Sequence, residues 1–180
     1  MRLDSMQCLL TEQLRDIYNA EKQLLKVSPK VIDATTGPRL RAALERQGWQ
    51  ARMQVARLQL IFGELGMAPR GMECRGMVGL LCEWEAMAFE EGEAEVRDYA
   101  IIAGGRRVAL YEMAAYDNAR NLAGRLGLRS IVSKLEETFA EEVATNDALA
   151  DLAEKDGAAQ IVRRRRPASS PKNLPALQPV

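Results

Sequence analysis

The sequence contains no histidine among its 180 residues. This absence excludes a Ser-His-Asp triad and a Cys-His pair, because both need an imidazole to take the proton of the nucleophile. It also removes the side chain that most often binds transition metals in proteins. Any metal site in this chain must therefore rely on oxygen or sulfur ligands.

Cysteine is also scarce, and no signal peptide or apolar run of 18 residues is present. Cys8, Cys74 and Cys82 form no Cys-x-x-Cys pair. We therefore expect a reduced, cytoplasmic protein with no transmembrane segment. The thiols are expected to act as small core side chains rather than as redox groups.

Aromatic residues make up only 5% of the chain, whereas small and helix-favouring residues are abundant, as is typical of closely packed helices. The net charge is zero, but it is unevenly distributed. Arg163–Arg166 and Lys172 carry five positive charges and no acidic residue follows residue 162, so residues 1–162 have a net charge of −5. We do not expect this acidic body to bind nucleic acid.

Apolar residues that recur at steps of three and four predict five helices. We place them at about residues 3–34, 38–65, 72–89, 97–126 and 128–155. Pro29 predicts a kink near Ser28 in the first helix, and Asp156-Gly157 is predicted to end the last. Two hairpins with a short crossover helix between them predict an all-α, ferritin-like four-helix bundle over residues 1–157. Residues 158–180 are basic and proline-rich, and are predicted to be a disordered tail.

Three carboxylates interrupt the apolar stripes of the long helices. They are Glu21 in the first helix, Glu112 in the fourth and Glu142 in the last, with Glu141 as the alternative to Glu142. A carboxylate on a buried face is costly unless it has a partner. The second helix adds three glutamines on or near its stripe: Gln47, Gln50 and Gln54.

Four segments resemble a known family: LRDIYNAEKQLL at residues 14–25, CRGMVGL at 74–80, LYEMAAY at 110–116 and LEETFAEE at 135–142. They occur in the order of the YciF/YciE-type family of bacterial ferritin-like stress proteins, and the chain resembles that family over about residues 4–154. The resemblance implies the architecture of di-iron or di-manganese carboxylate proteins, and a homodimer.

Carried over by position, Glu21, Glu112 and the Glu141/Glu142 pair match the family's acidic core positions. Glu83 matches an acidic position in the crossover. This chain departs from the family on the second helix, where a His and a Glu three residues apart are replaced by Gln47 and Gln50. It departs again on the fourth helix, where Ala109-Leu110 replace the Glu-His that tends to precede the Tyr-Glu.

With these losses, three carboxylates and two amides predict no cofactor or, at most, one weakly bound divalent cation such as Mn²⁺, Fe²⁺ or Mg²⁺. The alternative is a buried polar cluster in which some carboxyls stay protonated. In that case the carboxylates hydrogen-bond to Gln47, Gln50 and Tyr111, or pair with Arg52, Arg57 or Arg107.

The leading functional hypothesis is a stress-associated structural or interaction module, non-catalytic or weakly metal-binding, with a decayed di-metal centre. One alternative is a carboxylate-bridged iron or manganese enzyme with oxidase, peroxidase or catalase-like activity. The other is an adaptor that binds an acidic protein partner through Arg163–Arg166.

Overall fold

Five α-helices form the described part of the chain, which in this computed structural model comprises residues 4–70 and 72–165, with side chains described to residue 155. The helices are Met6–Ala34 (α1), Pro38–Glu64 (α2), Arg75–Phe89 (α3), Ala94–Arg125 (α4) and Arg129–Arg165 (α5). No strand occurs in these residues. The prediction of an all-α fold is confirmed.

Local sequence signals explain most of the helix ends. The Ser5 hydroxyl accepts a hydrogen bond from the Cys8 amide at 3.1 Å and caps α1, as a serine does at this position. Pro38 opens α2, where its missing N–H is not needed. Gly66 and Gly127 follow α2 and α4 with φ of 67° and 72°, a left-handed conformation that glycine adopts without strain after a helix.

The four long helices pack in a ring in the order α1, α2, α5, α4, and each contacts its two neighbours. Short connections make antiparallel hairpins of α1 with α2 and of α4 with α5. Asp98, near the start of α4, accepts hydrogen bonds from the backbone amides of Thr36 and Gly37 at 3.0 and 2.6 Å. The start of α4 therefore lies beside the start of α2. This is the two-hairpin connectivity of a ferritin-like bundle, as predicted.

Helix α3 lies outside the ring, against α1 and α4. Its inward face consists of Met77, Leu81, Trp84 and Ala88, all buried. The Trp84 indole N–H donates to the carbonyl of Ile101 at 2.8 Å, and its ring lies directly against Gly104, where a Cβ would overlap it. A glycine at this point of α4 is what allows the crossover helix to pack so closely.

Buried apolar side chains form two separate clusters along the bundle. The first core cluster includes Leu24, Leu44, Val108 and Leu149. The second core cluster includes Leu14, Leu58, Tyr116 and Leu135. Each ring helix contributes to both clusters, so each must pass through the space between them.

Four predicted helix boundaries differ from the structure by three residues or more. Helices α1 and α3 begin three residues later than predicted, at Met6 and Arg75, and α4 begins three residues earlier, at Ala94. Helix α5 does not end at Asp156-Gly157 but continues to Arg165, because one glycine costs a helix only about 1 kcal/mol relative to alanine and good helix formers follow it. The rest of the predicted tail, residues 166–180, lies outside the described residues. Pro29 lies within α1 without ending it.

None of the helices in the described ranges has an 18-residue stretch that is apolar enough and poor enough in charge to cross a bilayer.

Candidate functional site

A single polar layer separates the two core clusters. Each ring helix contributes one polar side chain to this layer, and none of the four is more than 2% exposed. The four are Glu21 from α1, Gln54 from α2, Glu112 from α4 and Glu142 from α5. Because they occupy stripe positions, the helical period itself directs them inward. We call this set the carboxyl layer.

The first carboxyl of the layer is held by a tyrosine. Tyr116, one turn beyond Glu112 on α4, donates its hydroxyl to Glu21 Oε1 at 2.7 Å. Glu21 Oε2 is buried and receives no hydrogen bond within the described residues. Half of this carboxyl is therefore satisfied and half is not.

The second carboxyl is held by an amide. The Gln54 side chain donates to Glu142 Oε1 at 2.8 Å and to Glu141 Oε2 at 3.0 Å. Glu141 is half-buried and accepts two hydrogen bonds from the Arg57 guanidinium, at 2.9 and 3.0 Å. Arginine is always charged, and both terminal nitrogens of Arg57 are engaged by Glu141. Its positive charge is therefore held in position at the edge of the layer.

The third carboxyl, that of Glu112, is buried, and neither of its oxygens has a hydrogen-bond partner in the described residues. The charges of Glu21 and Glu142 act on it, and neighbouring buried carboxylates repel each other unless one of them holds a proton. The layer is therefore built to retain protons.

The pKa values agree with this geometry. Burial raises the pKa of Glu21 well above its ordinary value, and the charge of Glu142 adds to the effect. Burial, followed by the charges of Glu21 and Glu142, also raises the pKa of Glu112 well above its ordinary value. The pKa of Glu142 rises to about 7 through burial, although the hydrogen bond from Gln54 opposes the rise. The pKa of Tyr116 is likewise raised, by burial and then by Glu21.

The predicted site residues separate into three groups. Glu21, Glu112 and Glu142 converge in the layer, and Glu141 lies at its edge. Gln47 is buried, and neither atom of its amide has a partner in the described chain, whereas Gln50 is half-buried and accepts a hydrogen bond from the Thr145 hydroxyl at 3.3 Å.

Glu83 is not brought to the layer. It is exposed on α3 and pairs with Arg107 at 3.0 Å. The reason is that α3 lies outside the ring and turns its apolar face inward, which leaves its charged face in solvent. Glu83, which matches an acidic position in the crossover and was a candidate for the residual metal site, therefore lies outside the carboxyl layer.

The sequence pattern missed two of the layer's hydrogen-bond donors. The pattern puts Gln54 on or near the buried stripe of α2 without identifying it as a site residue, and it gives Tyr116 no role. Tyr111, which was expected to serve the carboxylates, instead donates to Asp16 at 3.4 Å. A signal for Tyr116 was present, because it lies four residues after Glu112 and so on the same helix face.

A di-metal centre does not fit these residues. Two divalent ions need several anionic ligands and strong neutral donors, whereas the layer offers three carboxyls, amides and no imidazole. In the described residues no group of three or more Cys, Asp and Glu side chains is arranged to hold a metal ion. Arg57 adds a positive charge beside Glu141, at the edge of the layer, and this charge opposes the binding of a cation there. Carboxyls that retain their protons are consistent with this donor set and with the raised pKa values of Glu21, Glu112 and Glu142.

Comparison with known proteins supports the resemblance carried by the sequence motifs. Residues 5–162 match the family described as a domain of unknown function, DUF892. Protein YciF of Escherichia coli K12 is 34% identical over 154 residues, which cover 85% of this chain and 93% of YciF.

Two solved structures show the same fold along nearly their whole length. The crystal structure of the E. coli stress protein YciF has a TM-score of 0.83 at 32% identity, covering 86% of this chain and 98% of that chain. YcfI from Rhodopseudomonas palustris has a TM-score of 0.80 at 36% identity, covering 82% and 94%. With the family match spanning most of the sequence, the chain belongs to the DUF892 family and is a relative of YciF.

Proposed function

We propose that this protein is a non-catalytic, stress-associated structural module, in which a hydrogen-bonded carboxyl layer replaces a decayed di-metal centre. The observation that carries the proposal is the layer itself. Glu21, Glu112 and Glu142 are buried between the two apolar clusters, and ferritin-like di-metal proteins bind their ions with carboxylates that likewise project into the core. In this chain the raised pKa values and the Gln54 amide favour protons and hydrogen bonds over metal ions.

The enzymatic alternative needs a redox metal, and the layer disfavours one for electrostatic reasons. Protons on the carboxyls must leave before they can bind a cation, so metal affinity is reduced by the raised pKa values. Arg57 stays with Glu141, close to the layer. Both features lower the affinity for iron or manganese.

The stress association and the structural role are supported by the relatives. YciF of E. coli is described as a stress protein, and YcfI of R. palustris is described as a candidate structural protein. A reducing, cytoplasmic location agrees with the three free cysteines, Cys8, Cys74 and Cys82.

Metal analysis of protein purified without chelators tests the proposal. We expect far less than one iron or manganese ion per chain. A metal ion that binds only the folded state raises the melting temperature, so a protein that binds none should melt at the same temperature in EDTA and in MnCl₂. Stoichiometric metal together with oxidase, peroxidase or catalase turnover would establish the enzymatic alternative instead.

The variant Gln54→Glu is the positive control for this measurement. It gives all four ring helices a carboxyl in the layer, so without metal it adds a buried acid and should lower the melting temperature. Added Mn²⁺ should raise the melting temperature of the variant and restore part of that loss, and it should leave the melting temperature of the wild type unchanged. Equal stabilisation of both proteins by Mn²⁺ would contradict a decayed site.

We also propose that the module is a homodimer. Large apolar side chains remain exposed on α2, among them Trp49, Met53 and Leu60, and others remain exposed on α3 and α4, among them Phe89 and Leu110. Such a distribution favours association. Light scattering after size exclusion should give twice the chain mass, and a monomeric mass at micromolar concentration would refute the dimer.

A further inference from the structure

A groove opens between α1 and α4, next to the loop that precedes α3. Its volume is about 420 Å³, within the usual range for small-ligand sites. Its walls are mostly apolar, formed by Leu9, Ile17, Met72, Ala114 and Ala115. It is separate from the carboxyl layer, whose side chains do not line it.

One end of the groove is polar and holds an uncompensated charge. Asp16 Oδ2 accepts hydrogen bonds from the Cys74 thiol at 3.2 Å and the Tyr111 hydroxyl at 3.4 Å. Both donors are neutral near pH 7. No Lys or Arg in the described chain forms an ion pair with Asp16, whereas its neighbour Glu12 is paired with Arg15 at 2.7 Å.

The groove also has acceptors without donors. The hydrogen bonds that Asp16 accepts from described residues both end on Oδ2, so Oδ1 has no donor among them. Gln13 Oε1, one turn away on α1, is buried without a partner. Residues three apart on a helix are neighbours. A ligand that suits these acceptors would donate several N–H bonds and carry positive charge.

We propose that this groove binds a free aliphatic primary amine. An ammonium group offers three N–H donors in a compact cation, which would contact Asp16 Oδ1 and Gln13 Oε1 beside the Tyr111 ring. The alkyl stem lies along the apolar walls. Because Oδ2 is already occupied, a guanidinium cannot pair with the carboxylate through both of its nitrogens, and the site favours the point charge of an ammonium.

Calorimetric titration of the full-length protein near neutral pH, in phosphate buffer, tests the proposal with three probes of one length. Hexylammonium should bind, hexan-1-ol should bind more weakly, and hexanoate should not bind. Asp16→Asn should weaken hexylammonium binding by about tenfold or more, since a charged hydrogen bond is lost. Asp147→Asn, the same charge change at an exposed position on α5, should have no effect.

A second variant keeps the test independent of folding at Asp16. Ala114 is exposed and lines the groove, so Ala114→Leu should fill the groove and abolish binding while leaving the melting temperature nearly unchanged. The proposal is overturned if hexylammonium does not bind at millimolar concentration, if hexan-1-ol binds equally well, or if neither variant weakens binding.

Discussion

Replacing Glu142 with glutamine should make the protein more stable above neutral pH. The amide has the shape of the carboxyl, and its oxygen can still accept the hydrogen bond from Gln54. Its nitrogen adds a donor near the Glu112 carboxyl, which has no partner among the described residues of the wild type. The variant therefore keeps the hydrogen bonds of the layer and loses only the buried ionisation.

The magnitude follows from the pKa of Glu142, which is about 7 in the folded chain against an ordinary value of 4.5. Between these values the folded state holds a proton that the unfolded state has released, so the free energy of unfolding falls as pH rises. At 1.36 kcal/mol per pKa unit, the wild type loses about 3 kcal/mol through this one group. Glu142→Gln should not lose it, and the difference between the two proteins should reach its full value above pH 7.

Urea denaturation followed by circular dichroism, at a series of pH values from about 5 to 8.5, measures this difference. Glu154→Gln is the matched control, because Glu154 is exposed on the same helix and should give the pH profile of the wild type. If Glu142→Gln follows the wild type across the whole series, Glu142 is not a buried proton-holding group, and the description of the layer is refuted.

Two further substitutions test the packing around the layer. Gly104→Ala places a Cβ in the Trp84 ring and should lower the free energy of unfolding by about 1–3 kcal/mol. Gly63→Ala is the control, because its Cβ meets no atom within 4 Å, and it should leave that free energy equal or slightly higher. Equal urea midpoints for the two variants would refute the close contact. Tyr116→Phe removes the donor to Glu21 and should cost about 1–3 kcal/mol. This loss should be larger near pH 9 than near pH 6, because the hydrogen bond favours the ionised carboxyl; a loss independent of pH would contradict the assignment.

The helices and the buried carboxyls could be predicted because both depend on local periodicity. Glu21 and Glu112 lie on stripes spaced three and four residues apart, and a stripe position faces the core whatever the neighbouring helix is. The ends of α2 and α4 could also be predicted from the local sequence, because Gly66 and Gly127 adopt the positive φ that follows a helix. The boundary that depended on a glycine alone, after Asp156, was wrong.

The periodic pattern could not predict small rotations of a helix about its own axis. On α4, steps of three and four counted from Glu112 through Ala119 also select Ala115 and Leu122, which are half-buried. The fully buried residues are Tyr116 and Ala123. A shift of one residue rotates the buried face by about 100°, and it is the packing of α4 against α1 and α5 that decided which residue points at Glu21.

The sequence by itself determined that acidic side chains enter an all-α core from several helices and that no imidazole accompanies them. Only the tertiary structure decided their partners: Gln54 rather than Gln50 reaches Glu142, and Glu83 stays on the surface. The physical reason is that the helical period sets the direction of a side chain but not its height relative to a neighbouring helix. One turn of about 5.4 Å is enough to exchange one partner for the next.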